Sequence, residues 1–252
     1  MSERRSKLFG LFIFLILTFG FVYLMITGSK ASVKEVYNQI EINGNKLIPA
    51  SEYLKYTGLN DSTKYSDLTL IDVKNRFEKH PYMRKAEVEY DGVNKILVEV
   101  EEKKIKAVLL QKNNLKLVTD NLETLPLFPP SYIRDLPVIS NLSTNNKNSI
   151  DSSNIELAFR IIDAISLSDT NVRKNLAEIN LRRGGDVILT FTGLNFPVLF
   201  GKNDEVRKAL ILKDLWPRLV RDGKINSTTE YVDLRYKDKV FIGKRKTELI
   251  NE

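Results

Sequence analysis

Residues 80–103 read HPYMRKAEVEYDGVNKILVEVEEK, and their patterning decides the fold. Ala86, Val88 and Tyr90 alternate with Lys85, Glu87 and Glu89, the period of two expected of a half-buried strand. Asp91-Gly92 is turn chemistry, and beyond it Ile96, Val98 and Val100 alternate again up to Glu102. Two such runs around a short turn predict an antiparallel hairpin. His80-Pro81 ends whatever helix comes before, since proline disfavours a helical predecessor.

Upstream, the pattern changes from two to three-and-four. A helix starting at Ser66 or Asp67 would place Leu70, Ile71, Lys74 and Phe77 on one face. Pro49 opens a shorter helix through Tyr53, Leu54 and Tyr56, with Gly58 as its stop. Gln39-Ile40-Glu41-Ile42 alternates before the turn Asn43-Gly44-Asn45 and reads as a strand. Residues 37–104 therefore form a β-α-α-β-β unit.

Residues 105–243 read as a second, strand-rich unit. Ala107 to Leu110 and Leu115 to Val118 are apolar runs around the turn Lys112-Asn113-Asn114, and Leu136-Pro137-Val138-Ile139 follows the proline-rich Pro126 to Pro130. Asn141 to Asn154 is almost wholly polar and marks an exposed loop. Ile155 to Leu167 is an amphipathic helix through Leu157, Ala158, Ile161, Ile162 and Ile165. Ala177 to Leu181, Val187 to Thr192 and Phe196 to Phe200 read as strands, with a turn from Arg182 to Asp186. A helix from Asp204 to about Gly223 keeps helical spacing in Val206, Ala209, Leu210, Lys213, Trp216 and Leu219. Tyr231-Val232-Asp233-Leu234-Arg235-Tyr236 and Val240-Phe241-Ile242 close the unit as strands, and residues 244–252 form a flexible tail. The fold class is α+β.

Ahead of both units, Leu8 to Ile26 reads LFGLFIFLILTFGFVYLMI, and no charge appears until after Ser29. About 20 apolar residues suffice to cross a hydrocarbon core, so residues 8–29 are expected to be a single transmembrane helix. A cleaved signal peptide has a shorter apolar region and a small-x-small site, which Thr27-Gly28-Ser29-Lys30-Ala31 supplies poorly. Arg4, Arg5 and Lys7 lie in residues 1–7, and the positive-inside rule keeps that tail cytoplasmic and sends the rest across. Tyr23 lies at headgroup level near the outer end.

The 252 residues leave room for two small domains after this segment. With 42% hydrophobic and 28% charged residues, a packed core is expected. The absence of cysteine excludes thiol nucleophiles, thiolate metal sites and disulfides. The formal charge of +7 could suggest nucleic acid. Much of it, however, sits at the ends, in Arg4, Arg5 and Lys7 and in Lys237, Lys239, Lys244, Arg245 and Lys246. The middle interleaves both signs, so solvated surface charge is the reading, with no nucleic-acid or small-molecule partner.

No catalytic constellation emerges. His80, the lone histidine, cannot build a His-rich metal site and reads as a structural cap or surface group. Asp72, Glu78, Glu101, Glu102 and Asp233 are scattered carboxylates without a pair pattern. No G-x-S-x-G or S-x-x-K motif is present, and Gly184-Gly185 and Gly193 suit hairpin turns rather than a phosphate cradle. No catalytic, metal-binding or cofactor-binding residue is assigned.

The order of parts resembles the bacterial cell-division family FtsQ/DivIB over nearly the whole chain. The residues that carry the likeness are His80 to Val88, Ile96 to Lys103, Ala107 where the family keeps an alanine, and Tyr231 to Tyr236. Ile105 stands where the family usually has proline. The resemblance implies that the first unit is a POTRA domain, a small α/β module, and the second an FtsQ-type β domain. It further implies a non-enzymatic scaffold at the division septum, in complex with FtsB and FtsL, linking early division proteins to septal peptidoglycan synthesis. It leaves room for other division proteins at the POTRA-like unit.

In the family the C-terminal strand pairs with a strand of FtsB. Carried over, Tyr231, Val232, Asp233, Leu234, Arg235 and Tyr236 would form an edge strand that accepts a partner strand, with Lys237, Val240 and Phe241 adjoining. Tyr236 would be the anchor and Arg235 would meet a partner acid. Two alternatives remain at this point. One is a POTRA-containing envelope assembly or secretion factor, although the residues after the unit lack a barrel's long series of alternating strands. The other is a membrane-tethered envelope hydrolase, which would need a nucleophile or acid pair.

Overall fold

The computed structural model describes residues 3–28, 37–62, 65, 68–111, 114–128, 135–142, 152–182, 186–221 and 227–244. It begins with α1 (Glu3–Gly28), an apolar helix of 26 residues. Its described side chains, residues 9–25, are exposed except for half-buried Thr18, whose hydroxyl donates to the Phe14 carbonyl at 2.9 Å. None of them belongs to either core. Among the described residues no helix is long and apolar enough to cross a membrane. The described side chains of α1 stop at 9 and 25, inside the longer uncharged stretch from Leu8 to Ser29.

The first unit folds as β1 (Gln39–Asn43), α2 (Ala50–Thr57), α3 (Leu70–Glu78), β2 (Met83–Tyr90) and β3 (Lys95–Glu102). β3 lies between parallel β1 and antiparallel β2. The hairpin turn is held by Asp91, whose Oδ1 accepts the N–H groups of Val93, Asn94 and Lys95 at 2.9, 3.0 and 2.9 Å. Gly58 ends α2 at φ 69°, and the Leu59 N–H closes the turn on the Leu54 carbonyl at 2.8 Å.

Several local expectations need correction. α3 starts at Leu70, because Thr69 and Asp72 form a capping box: Thr69 Oγ1 accepts the Asp72 N–H and the Asp72 carboxylate accepts the Thr69 N–H, each at 3.1 Å. The Thr69 hydroxyl, which donates to the Asp72 carboxylate at 2.7 Å, and then the Thr69 N–H hold the Asp72 carboxyl below its ordinary range. The expected starts, Ser66 and Asp67, lie outside the described residues. The inward face is Val73 and Phe77 with Leu70 packed beside them, while Ile71 is exposed. Glu102 is no scattered carboxylate. It accepts the Lys46 N–H at 2.8 Å, the Leu47 N–H at 2.9 Å and the Tyr53 hydroxyl at 2.6 Å, pinning the β1–α2 loop to β3.

His80 is a core residue and not a surface group. It is 2% exposed, and its ring centroid lies 4.7 Å from Tyr53, 4.4 Å from Tyr56, 5.2 Å from Tyr82 and 5.6 Å from Phe128. Nδ1 accepts the Tyr82 N–H at 3.1 Å. Burial disfavours the charged imidazolium and pushes the pKa down to about 4. The unfolded chain takes up this proton near pH 6.5 and the folded chain only near 4, so stability falls as pH drops between those values. A loss of about 3 kcal/mol over that window is expected, at about 1.4 kcal/mol for each pH unit between the two values. Unfolding of the full chain in detergent at stepped pH checks it, with His80→Gln free of that part of the slope.

The second unit is one sheet of nine strands in the order β12-β11-β10-β9-β8-β7-β4-β5-β6. In chain order these are β4 (Ile105–Gln111), β5 (Asn114–Thr119), β6 (Thr124–Pro126), β7 (Val138–Ser140), β8 (Leu176–Leu181), β9 (Val187–Phe191), β10 (Val198–Leu199), β11 (Thr229–Asp233) and β12 (Phe241–Lys244). Helices α4 (Ser152–Ser168), α5 (Thr170–Asn175) and α6 (Glu205–Arg221) share one core with the sheet. α4 begins at Ser152, inside the stretch expected to be loop, and α5 was not anticipated. Asp169 caps α5 by accepting the Asn171 and Val172 N–H groups at 2.6 and 3.0 Å.

α6 buries Lys208, Ala209, Leu212, Trp216 and Leu219, while Val206, Leu210 and Lys213 point to solvent. Trp216 meets Phe191 edge to face at 5.2 Å. Lys208 donates from Nζ to the Lys202 carbonyl at 2.9 Å, and burial lowers its pKa.

On the face of β4–β6 away from those helices, Val108, Leu117 and Leu125 join the core of the first unit. The latch between the units is Tyr82. Its buried hydroxyl donates to the Pro126 carbonyl and accepts the Phe128 N–H, both at 2.9 Å.

A candidate partner-binding edge at the C-terminal strand

Cross-strand register shows what β12 completes. On the helix-covered face, Leu109, Ile139, Ile179, Leu189, Val198, Val232 and Ile242 are successive neighbours across seven strands. All are fully buried except the last, for Ile242 is 45% exposed. On the opposite face the row runs Ser140, Asn180, Ile188, Leu199, Asp233 and Phe241. Phe241 ends it at 46% exposure and meets the ring of Tyr236, itself 53% exposed, at 4.8 Å. Each face therefore ends on an apolar side chain with nothing beyond it among the described strands.

The expectation that Tyr231 to Tyr236 forms the edge strand is corrected by this register. β11 ends at Asp233 and lies between parallel β10 and antiparallel β12. The Leu234 N–H still pairs with the Leu199 carbonyl at 2.9 Å, while Arg235 and Tyr236 are past the strand. The edge is β12, which pairs with β11 alone among the described strands. Val232 and Leu234 are wholly buried. Tyr231 lays its ring over Gly243, where an added Cβ would fall 2.4 Å from Tyr231 Cε1. Lys237 is exposed and its carbonyl accepts from Arg207 at 2.8 Å; Val240 packs partly on the core.

Arg235 already has carboxylates within its own chain. Nε and Nη2 donate to Asp233 at 3.0 and 2.7 Å, and Nη1 reaches Asp186 at 3.2 Å. This pairing holds Asp233 below the ordinary carboxylate range and raises Arg235 above its own. The Arg235 stem crosses Gly201, whose φ is +66° and whose added Cβ would meet Arg235 Cγ at 2.8 Å. The guanidinium is thereby fixed beside the loop that carries Tyr236, with N–H donors to spare. Lys237, Lys239 and Lys244 surround the edge with positive charge against Asp238. The signal in the sequence was Phe241-Ile242, two consecutive apolar residues that place one apolar side chain on each face of a strand.

A small α/β unit with a three-stranded sheet is followed by a strand-rich unit whose nine-stranded sheet ends on an open edge with apolar side chains on both faces. Comparison with known proteins makes this specific. The family description "POTRA domain, FtsQ-type" matches residues 37–103, and "Cell division protein FtsQ/DivIB, C-terminal" matches residues 107–235. The chain belongs to the FtsQ/DivIB family, a non-catalytic family of cell-division proteins. A relative named cell division protein FtsQ, from Geotalea daltonii (strain DSM 22248 / JCM 15807 / FRC-32), is 23% identical over 230 residues, covering 88% of this chain and 80% of the relative.

Proposed function

We propose that this chain is a single-pass, non-enzymatic scaffold of the division machinery that accepts a partner β-strand along β12, with FtsB as the strand donor and FtsL in the same complex. The observation that carries the reading is the ending of both sheet rows on exposed apolar residues, Ile242 and Phe241. A strand added here continues both rows, gains backbone hydrogen bonds along the edge and covers one apolar side chain on each face.

Tyr236, Phe241, Ile242 and Val240 form the contact surface, with Lys237 and Arg235 facing acids of the partner. Tyr231, Val232, Asp233 and Leu234 shape the surface from behind β12. Residues 8–29 are the membrane-crossing segment, since about 20 helical residues rise about 30 Å, the thickness of a hydrocarbon core. The basic tail, residues 1–7, stays cytoplasmic. Residues 37–104 and 105–243 stand outside at the septum, where the chain joins early division proteins to peptidoglycan synthesis.

The test is titration of the full chain in lipid nanodiscs with the extracytoplasmic segment of FtsB. Binding that Tyr236→Ala weakens about tenfold, or 1.4 kcal/mol, supports both partner and anchor. No binding by the folded chain overturns the partner, and normal binding by Tyr236→Ala overturns the anchor.

A further inference from the structure

We propose that the outward face of α6 is a docking site for one amphipathic α-helix of a partner protein, apolar along its seam and mainly acidic beside it. α6 carries two apolar seams where a core helix needs one. The inward seam, Ala209, Leu212, Trp216 and Leu219, is buried against the sheet. The outward seam, Val206, Leu210, Lys213, Pro217 and Val220, is exposed throughout. Its spacing is four, three, four, three, the repeat by which two helices interlock side chains along a common line. It runs about 21 Å along the helix.

Charge identifies the occupant. Arg207, Asp214 and Arg221 follow Val206, Lys213 and Val220 in sequence and so line one flank of the seam, in the positions that meet a partner's charges. Arg218 adds to the same side, and Lys213 stands within the seam itself. Arg207 is held in place by the Lys237 carbonyl at 2.8 Å and Asp204 at 3.8 Å. A matching helix carries acids opposite Arg207, Lys213 and Arg221, and a base or neutral residue opposite Asp214. Pro217 lacks the N–H that would take the Lys213 carbonyl, leaving that carbonyl without its usual helical donor.

A bilayer surface is the poorer fit. Helices that lie in a membrane interface present a broad apolar face rich in Trp, Phe and Leu. This seam is one residue wide, has no aromatic, and places a lysine at its centre. The inference rests on α6 alone and does not depend on strand addition at β12.

The test is site-specific photo-crosslinking. The full chain, carrying a photoreactive side chain at Leu210 or Val220, is irradiated in the membranes of cells that produce it, and linked segments are mapped by mass spectrometry. The expected product is one protein segment with apolar residues at alternating spacings of three and four and an excess of Asp and Glu. Its yield falls at least tenfold with Lys213→Glu and Arg221→Glu, and returns when the mapped acids are changed to lysine. Lipid adducts, no adduct, a segment without that pattern, or a yield indifferent to charge reversal would each overturn the proposal. A probe at Phe241 in parallel reports on β12 separately, so either site can fail alone.

Discussion

Replacing Phe241 and Ile242 together by serine is expected to weaken partner binding by about 100-fold, with the fold intact. Both side chains are about half exposed in the free chain, so their loss costs the sheet little. In the complex each would be covered by the next strand. Covering a large apolar side chain contributes about 1.5–3 kcal/mol, and the half already shielded reduces that for each residue. Two such losses sum to about 2.7 kcal/mol, which is about 100-fold in Kd. Leu115→Ser is the matched control, since Leu115 is as exposed but sits on β5, far from β12 in the strand order. Equal Kd values for the double variant and the control would show that β12 is not the contact.

Glu102→Ala is expected to destabilise the first unit by about 3 kcal/mol. The carboxylate satisfies the Lys46 and Leu47 N–H groups and the hydroxyl of fully buried Tyr53. Removing an acceptor costs most where the donors stay buried and unsatisfied, about 1–3 kcal/mol for each. Lys46 regains water because its bond is exposed, so Leu47 and Tyr53 dominate. Glu102→Gln keeps one acceptor oxygen and should lose about half as much. Denaturant unfolding of the full chain in detergent measures both, and an unchanged midpoint for Glu102→Ala would remove this residue's role.

Much of the first unit was legible because its signals are local. The period-two runs around Asp91-Gly92 became β2 and β3, and Pro49 and Gly58 bracket α2. The capping box at Thr69 and Asp72 was also written in the sequence, yet the polar residues before it drew the expected helix start too early. His80 was not legible as core, because Phe128, which closes its aromatic cluster, follows β6 of the other sheet.

The site was legible as a segment but not as an edge. Tyr231 to Leu234 alternates and Val240 to Ile242 is an unbroken apolar run, and neither pattern says which strand ends a sheet. That depended on β10, only two residues long, pairing in parallel with β11. Likewise α6 showed one merged apolar pattern in sequence. Only packing separates Ala209 and Trp216, which are buried, from Val206 and Leu210, which are not.

Hydrogen exchange at the backbone tests strand addition at β12 most directly. The full chain in nanodiscs is compared with and without the extracytoplasmic segment of FtsB, resolving amides by residue. Strand addition predicts new protection within residues 241–244, with the already paired amides of β11 little changed. Protection confined to other segments, or none at β12 while FtsB is bound, would contradict it.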